Sequence, residues 1–412
     1  MQNVPFTERR VLIPFVFVTL LFTLWGVSMS MSDVLNKHFQ EVLHLSKSQS
    51  GLIQFSVFGA YFVMSIPAGL FMKKFGYKPG VLLGLALFSA GTFLFIPAAD
   101  NASFTLFRIA LFVMGCGMAT LETVAHPFMA ALGHQATSDR RINFAQSFNA
   151  VGTMIGPALG TYFLLSAAGN EPKEELDAVK SLYGAIAVFV LIFGLVFSII
   201  KIPALTDPHA GNGTPEKAGS IKLFPRELFR HRHFNWAVIT QFFNVAAQAG
   251  TWAFFINYGH EKLGFTDEQA GNYMVLFMGM MVLGRIAGTF LMKFIAPNRI
   301  LAAFAIGNIL MCVLVAANLG WVSFVALLFI NFFFSIMFPT IFSLGMKNLG
   351  DYSQQGSSFI AMGVVGGAFF PFIMGLMANK DVALAYLLPV FCYILIFLYG
   401  VKLYKADNPL KK

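Results

Sequence analysis

Residues 126–133, HPFMAALG, and residues 338–345, FPTIFSLG, end two apolar stretches in the same manner: Pro and Gly stand six apart, and a polar loop follows. A second matching pair comes soon after, Ser147-Phe148-Asn149-Ala150-Val151-Gly152 and Ser358-Phe359-Ile360-Ala361-Met362-Gly363, sharing S-F-x-A-x-G. Further upstream, Ala68-Gly69 and Ala287-Gly288 close two more apolar stretches, each followed by apolar residues and Lys. The pairs are in register and offset by about half the chain, so the chain repeats itself once.

The repeated unit is built for lipid. Of 412 residues, 57% are hydrophobic, 48 are Phe and 11% are charged, and mean hydropathy is +0.71. A soluble core needs no such surface. About twelve apolar segments, each near the ~20 residues a spanning helix requires, fall at 11–36, 48–72, 79–98, 103–132, 142–168, 180–202, 233–258, 268–292, 300–318, 320–346, 356–378 and 382–403. The first is too long for a cleavable signal and has no small-residue cleavage site after it. The polar stretch 203–231, with DPHAGNGTPEKAGS, divides the chain into a bundle over 1–202 and a bundle over 232–412, six segments each. The fold expected is all-α and integral to the membrane: two pseudo-symmetric six-helix halves, as in the major facilitator superfamily, rocking about a midplane site.

The net charge of +9 is a topology signal. Lys37, Lys47, Lys173, Lys180, Lys262 and Lys380 fall in outer loops and Arg108 and Arg285 within segments; the other Lys and Arg residues are all on the opposite, inner side, among them Arg9, Lys73, Arg141, Arg226 and Lys402. That bias places both termini in the cytoplasm, and no nucleic-acid partner is needed to explain it. Cys116, Cys312 and Cys392 sit in apolar runs without metal-ligand or disulfide spacing. No P-loop, no G-x-G-x-x-G after a strand, no metal-spaced cluster and no nucleophile–base set occurs. No cofactor, metal or enzymatic activity is expected, and ATP-driven transport is disfavoured.

Against this apolar background two acids carry the function. Ionisable groups in hydrocarbon are costly and mark ion, proton or substrate paths. Asp33 stands about 22 residues into the first segment, roughly 30 Å from its start at 1.5 Å per residue, towards the outer face; its alternative role is an acid reaching interfacial water. Glu122 lies deeper, in MGCGMATLETVAHPF, where burial favours the neutral carboxyl and so a group that binds and releases a proton. The Pro127/Pro339 alignment sets Phe334 opposite Glu122, so any ion coupling belongs to the N-terminal half. His126, four residues on, shares a face with Glu122; a local hydrogen bond is the commoner role for such a His, and a proton relay the other. Arg108 enters segment 4 near its outer end, either to pair with Asp33 or to reach the outer headgroups.

Segment 7 carries Gln241, Asn244, Gln248 and Trp252 along one helical face. Amides both donate and accept, and an indole face stacks on the apolar side of a sugar ring, so the stripe suits an uncharged polyhydroxyl ligand; interhelical hydrogen bonding is the alternative. Segment 5 adds Gln146 and Asn149, then Gly152, Gly156 and Gly160 at the four-residue spacing of close helix contact. Arg285 in MVLGRIAGTF is the deep cation of the second half, suited to substrate, to carbonyls of a broken helix, or to an inner gate.

The strings SDVLNKHF (32–39), IPAGLFMKKFGYKPG (66–80), LETVAHPF (121–128), NFAQSFNAVGT (143–153), FPTIFSLGMKNLG (338–350) and GSSFIAMGVVGG (356–367) closely resemble the fucose:proton symporter family, over nearly the whole chain. The resemblance implies proton-coupled uptake of a hexose or deoxyhexose such as L-fucose across a bacterial cytoplasmic membrane, by a monomer bathed in lipid. It implies that Asp33 and Glu122 serve substrate binding and proton coupling, and that Gln146, Asn149, Gln248 and Trp252 line the central cavity. Sodium-coupled glucose or galactose relatives tend to carry Gln where Glu122 stands, so protons are expected and sodium is the alternative. Three places depart from the family: Ser28-Met29-Ser30-Met31-Ser32 replaces an Asn-rich run, His126 replaces an Asn of the usual A-N-P string, and Arg108 replaces an apolar residue.

Overall fold

The computed structural model describes residues 7–133, 138–165, 172–202, 226–292, 294–349 and 353–405. All regular structure among them is helical, as lipid demands of a chain whose backbone polar groups must be satisfied internally. The N-terminal half comprises α1 (Leu12–Val42), α2 (Lys47–Phe75), α3 (Tyr77–Phe93, resumed as Phe95–Asp100), α4 (Phe104–Ala131), α5 (Ser138–Gly160, ending in a π turn at Thr161–Leu165) and α6 (Pro172–Ile199). The C-terminal half comprises α7 (Arg232–Ala253, then Phe255–Leu263), α8 (Asp267–Leu291), α9 (Pro297–Ala316), α10 (Trp321–Phe334, then Met337–Gly345), α11 (Ser353–Met362, then Gly366–Ala378) and α12 (Val382–Ala385, Leu388–Leu398 and a π turn at Tyr399–Leu403). Of the expected linker 203–231, residues 203–225 lie outside the described residues.

Ten of these helices are long and apolar enough to span a membrane on length and composition. The two that fall short are α5 and α7, the helices that carry the candidate substrate amides. Polarity has been placed where the bundle interior, and not lipid, receives it.

The repeat is visible in the caps and the packing. Ser46 caps α2 and Thr266 caps α8, and each forms a capping box with a Gln three residues on, Gln49 and Gln269. Buried apolar side chains form two cores, one centred on each half, each taking in a few residues of the other, such as Val34 and Ala150 in one and Val245 and Ala368 in the other. The halves meet chiefly where α2 packs on α11 and where α5 packs on α8. Because α2 corresponds to α8 and α5 to α11, these two contacts are images of each other under the repeat.

The shared S-F-x-A-x-G string has one structural task in both halves. A Cβ on Gly152 would lie 2.2 Å from the Thr23 carbonyl oxygen of α1, and one on Gly156 would lie 2.5 Å from that of Val27. In α11, a Cβ on Gly363 would lie 3.1 Å from Gln241 Cβ, and one on Gly366 would lie 1.9 Å from the Phe242 carbonyl oxygen of α7. Glycine lets α5 lie against α1, and α11 against α7, with backbones in contact.

Candidate functional site

Glu122 is 8% exposed, inside the N-terminal half. The Tyr61 hydroxyl from α2 stands near its carboxylate and accepts from Trp25 Nε1 of α1 at 2.7 Å. Glu122 Oε2 has no hydrogen-bond partner, so the carboxyl keeps an unsatisfied oxygen away from water. Tyr61 and Trp25 escape detection in the sequence, because aromatic residues crowd every segment and only the fold sets these two beside the acid.

His126 uses the shared face differently from a carboxylate partner. Its Nδ1 lies 2.9 Å from the backbone oxygen of Glu122, the local hydrogen bond commonest for such a His. A carbonyl can only accept, so Nδ1 carries the proton. Its Nε2 lies 2.8 Å from Gln146 Nε2 of α5, an amide nitrogen that only donates, so Nε2 is the acceptor. The ring edge is closed by Phe22 of α1 at 5.0 Å between centroids.

Gln146 also joins the halves. Arg285 Nη1 from α8 donates to the Gln146 backbone oxygen at 3.0 Å, while Arg285 Nε reaches the Ser335 carbonyl at 3.4 Å. Ser335 lies in the interruption between the two parts of α10, whose free carbonyls a cation can satisfy. Arg285 thus meets a carbonyl of a broken helix and bridges the two halves at once. Asn149 donates to the Phe22 carbonyl at 3.1 Å, fastening α5 to α1.

Asp33, 4% exposed, accepts from Gln54 Nε2 of α2 at 2.8 Å. It forms no ion pair with Arg108, which lies instead over the Phe104 ring at 5.9 Å. The Asp33–Arg108 pairing is thereby corrected: an amide already satisfies the acid, and the Arg lies over an aromatic ring of its own helix. Gln54 is the residue missed, and its position as the one amide deep in segment 2 is the signal that could have found it.

The stripe on α7 is divided. Gln241 and Asn244 are fully buried, and their side chains have no hydrogen-bond partner among the described residues. Gln248 is half-buried. Trp252 Nε1 donates to Asn331 Oδ1 of α10 at 3.1 Å, and Asn331 donates to the Phe277 carbonyl of α8 at 2.9 Å. The indole N–H is thus engaged between helices, and in this outward-closed arrangement the ring is buried.

On the outer side the halves are laced together. Asn36 donates to the Ala253 carbonyl at 2.6 Å and Asn257 to Gln40 Oε1 at 2.8 Å. Lys37 binds Glu41 at 2.7 Å and Asp267 at 3.2 Å, and Asp267 also meets His260 at 3.0 Å. Lys47 pairs with Glu261 at 2.7 Å and donates to the Ala378 carbonyl. Lys37, expected in an outer loop, is buried within α1, which runs to Val42. The site is therefore closed towards the outside.

The profile described as Major Facilitator Superfamily matches residues 16–371. The L-fucose-proton symporter of Escherichia coli is 37% identical over 412 residues, covering 95% of this chain and 93% of that protein. A glucose/galactose transporter of Brucella abortus is 35% identical over 388 residues, covering 93% of this chain and 92% of that one. The crystal structure of the transporter FucP in the outward conformation superposes with a TM-score of 0.73 at 35% identity, covering 95% of this chain and 99% of that chain.

Proposed function

This chain belongs to the major facilitator superfamily, in the group that holds the L-fucose-proton symporter and the glucose/galactose transporters, and from that membership we propose that it imports a neutral hexose or deoxyhexose such as L-fucose together with a proton. It is a multi-pass membrane transporter and not an enzyme. The observation that carries the coupling is Glu122: a buried carboxyl in apolar surroundings, with Oε2 lacking a hydrogen-bond partner. An ionisable group in such surroundings marks a proton or substrate path.

In the proposed cycle Glu122 is protonated from outside and the sugar binds between the halves. Asp33, Gln146, Asn149, Gln241, Asn244, Gln248 and Trp252 make the binding surface. Buried amides lacking partners, as Gln241 and Asn244 do, are costly unless a ligand or water satisfies them. Rocking of the 1–202 bundle against the 232–412 bundle then opens the inner side. The laced outer ends correspond to the outward-closed part of that cycle, opposite to the conformation named for FucP. The protein acts as a monomer in the bacterial cytoplasmic membrane, both termini inside, surrounded by lipid.

The likeness to glucose/galactose transporters supports a second reading, sodium-coupled symport. Sugar-induced proton uptake in proteoliposomes, with L-fucose, glucose, galactose and N-acetylglucosamine compared, separates the two. Proton symport alkalinises the medium with one of these sugars, and Glu122→Gln exchanges sugar but no longer concentrates it. Uphill accumulation by Glu122→Gln overturns the assignment, and a sodium requirement without alkalinisation selects the second reading.

A further inference from the structure

The hydrogen bonds of His126 leave one place for an added proton. Nδ1 is already protonated and held by the Glu122 carbonyl, while Nε2 carries the lone pair that accepts from Gln146. A proton arriving at Nε2 turns an acceptor into a donor and faces it with the donor –NH2 of Gln146. The clash is relieved by a half-turn of the Gln146 amide, which brings Oε1 to the imidazolium and swings the –NH2 away. Gln146 is half-buried, so its other amide atom remains able to meet a ligand.

We propose that His126 and Gln146 form a proton-operated amide switch that sets whether Gln146 offers the sugar an acceptor or a donor. With His126 neutral, Gln146 gives its –NH2 to the imidazole and presents Oε1 to a sugar hydroxyl. With Nε2 protonated, it presents –NH2 to a sugar oxygen. The proposal rests on the reading of Gln146 as a sugar contact and Glu122 as the proton site. It gives His126 a role that an Asn in its place, which cannot titrate, could not take.

The charged and titratable groups around the imidazole are Glu122 on its own helix, Tyr61 of α2 against Glu122, and Arg285 of α8 beyond Gln146; α1 contributes Phe22, and Trp25 against Tyr61. Arg285 opposes a second positive charge nearby, while ionised Glu122 favours one. His126 therefore takes up a proton when Glu122 has given one up, and a single proton is shared between the two sites. The transfer leaves the pair with the same net charge: neutral carboxyl and neutral imidazole before, carboxylate and imidazolium after.

The test is the apparent KM for counterflow of the transported sugar between about pH 5.5 and 8.5, in proteoliposomes holding wild type, His126→Asn or Gln146→Met. Where one proton is linked to binding, KM moves by up to about tenfold per pH unit. Both variants keep the part of that dependence that Glu122 carries and lose the part that Gln146 transmits, so their slope is expected to fall to about half the wild-type value or less, whatever happens to the maximal rate. Wild-type pH dependence in His126→Asn overturns the switch. A wild-type protein that neither alkalinises the medium nor concentrates sugar overturns the proposed function instead. Should the variants fold poorly, ¹⁵N-histidine NMR on the wild-type protein decides: an Nδ1–H tautomer that protonates at Nε2 is expected, and an Nε2–H tautomer rules the switch out.

Discussion

Lys37 Nζ of α1 and Asp267 Oδ2 of α8 lie 3.2 Å apart across the boundary between the halves, each side chain only 8% exposed. Glu41 sits on the Lys and His260 on the Asp, so four charged or titratable side chains close the outer face. Removing one partner of a buried pair leaves the other charge desolvated, at a cost of about 3–5 kcal/mol, reduced here by Glu41 and His260. That cost falls on the outward-closed state alone. Lys37→Met and Asp267→Asn are therefore expected to shift the population outward by about tenfold for each 1.4 kcal/mol. Spin-label distances between the outer ends of α1 and α7 report the shift; unchanged distances in both variants refute it.

Gly156→Ala tests the seam between α1 and α5. In a helix interior, Ala for Gly ordinarily stabilises by about 1 kcal/mol. Here the added Cβ would stand 2.5 Å from the Val27 carbonyl oxygen and 2.1 Å from Ser30 Oγ. Overpacking of about 1–3 kcal/mol outweighs the gain in propensity, and the melting temperature in detergent falls. Gly184→Ala in α6, where the nearest atom is Ile96 Cδ1 at 3.9 Å, holds or raises it. Equal melting temperatures for the two variants would show that the seam does not depend on the missing side chain.

Arg285→Lys keeps the charge and loses the fork. A guanidinium reaches Gln146 O and Ser335 O together, whereas an ammonium is a point charge without that geometry. One charge-assisted hydrogen bond contributes about 1.5–3 kcal/mol, so initial transport rates drop by about tenfold or more. Wild-type rates in Arg285→Lys would leave charge alone as the requirement.

Asp381, outside the spanning segments, gives the pH dependence of stability a definite sign. The Lys262 ammonium at 2.9 Å holds its carboxyl below the usual range, assisted by the Ala383 amide at the start of α12. A carboxyl lowered on folding stabilises above its unfolded value, and that contribution disappears as pH falls through the lowered one. Melting temperatures should therefore decline below about pH 4 less steeply in Asp381→Asn than in wild type. The difference should shrink in high salt; identical pH profiles would exclude a role for Asp381.

Much of the site could be read before any fold was known, because polar atoms among apolar residues stand out. Asp33, Glu122, Gln146 and Asn149 were found in that way. Their partners were not. Gln54 and Tyr61 belong to α2, and nothing local links them to acids on α1 and α4. Asp267 looks like an ordinary acid in a helix first turn, where the dipole alone explains it, and Lys37 looks like a loop charge. Even the pairing of Asp33 with Arg108, reasonable from depth along the helices, failed because depth does not fix which faces meet.

What the sequence determined by itself was the periodic and the compositional: two repeats of six lipid-compatible helices, the glycine positions where backbones touch, and two intramembrane carboxyls, Asp33 and Glu122, without acidic counterparts across the repeat. These follow from hydrocarbon's intolerance of unsatisfied polar groups, which acts on each segment separately. Tertiary structure alone decided who meets whom: Tyr61 with Glu122, His126 with Gln146, Arg285 with the broken α10, and Lys37 with Asp267. Hydrogen bonds and ion pairs act over a few ångströms between groups far apart in the chain. Their choice of partner depends on helix rotation and crossing, which hydropathy does not encode.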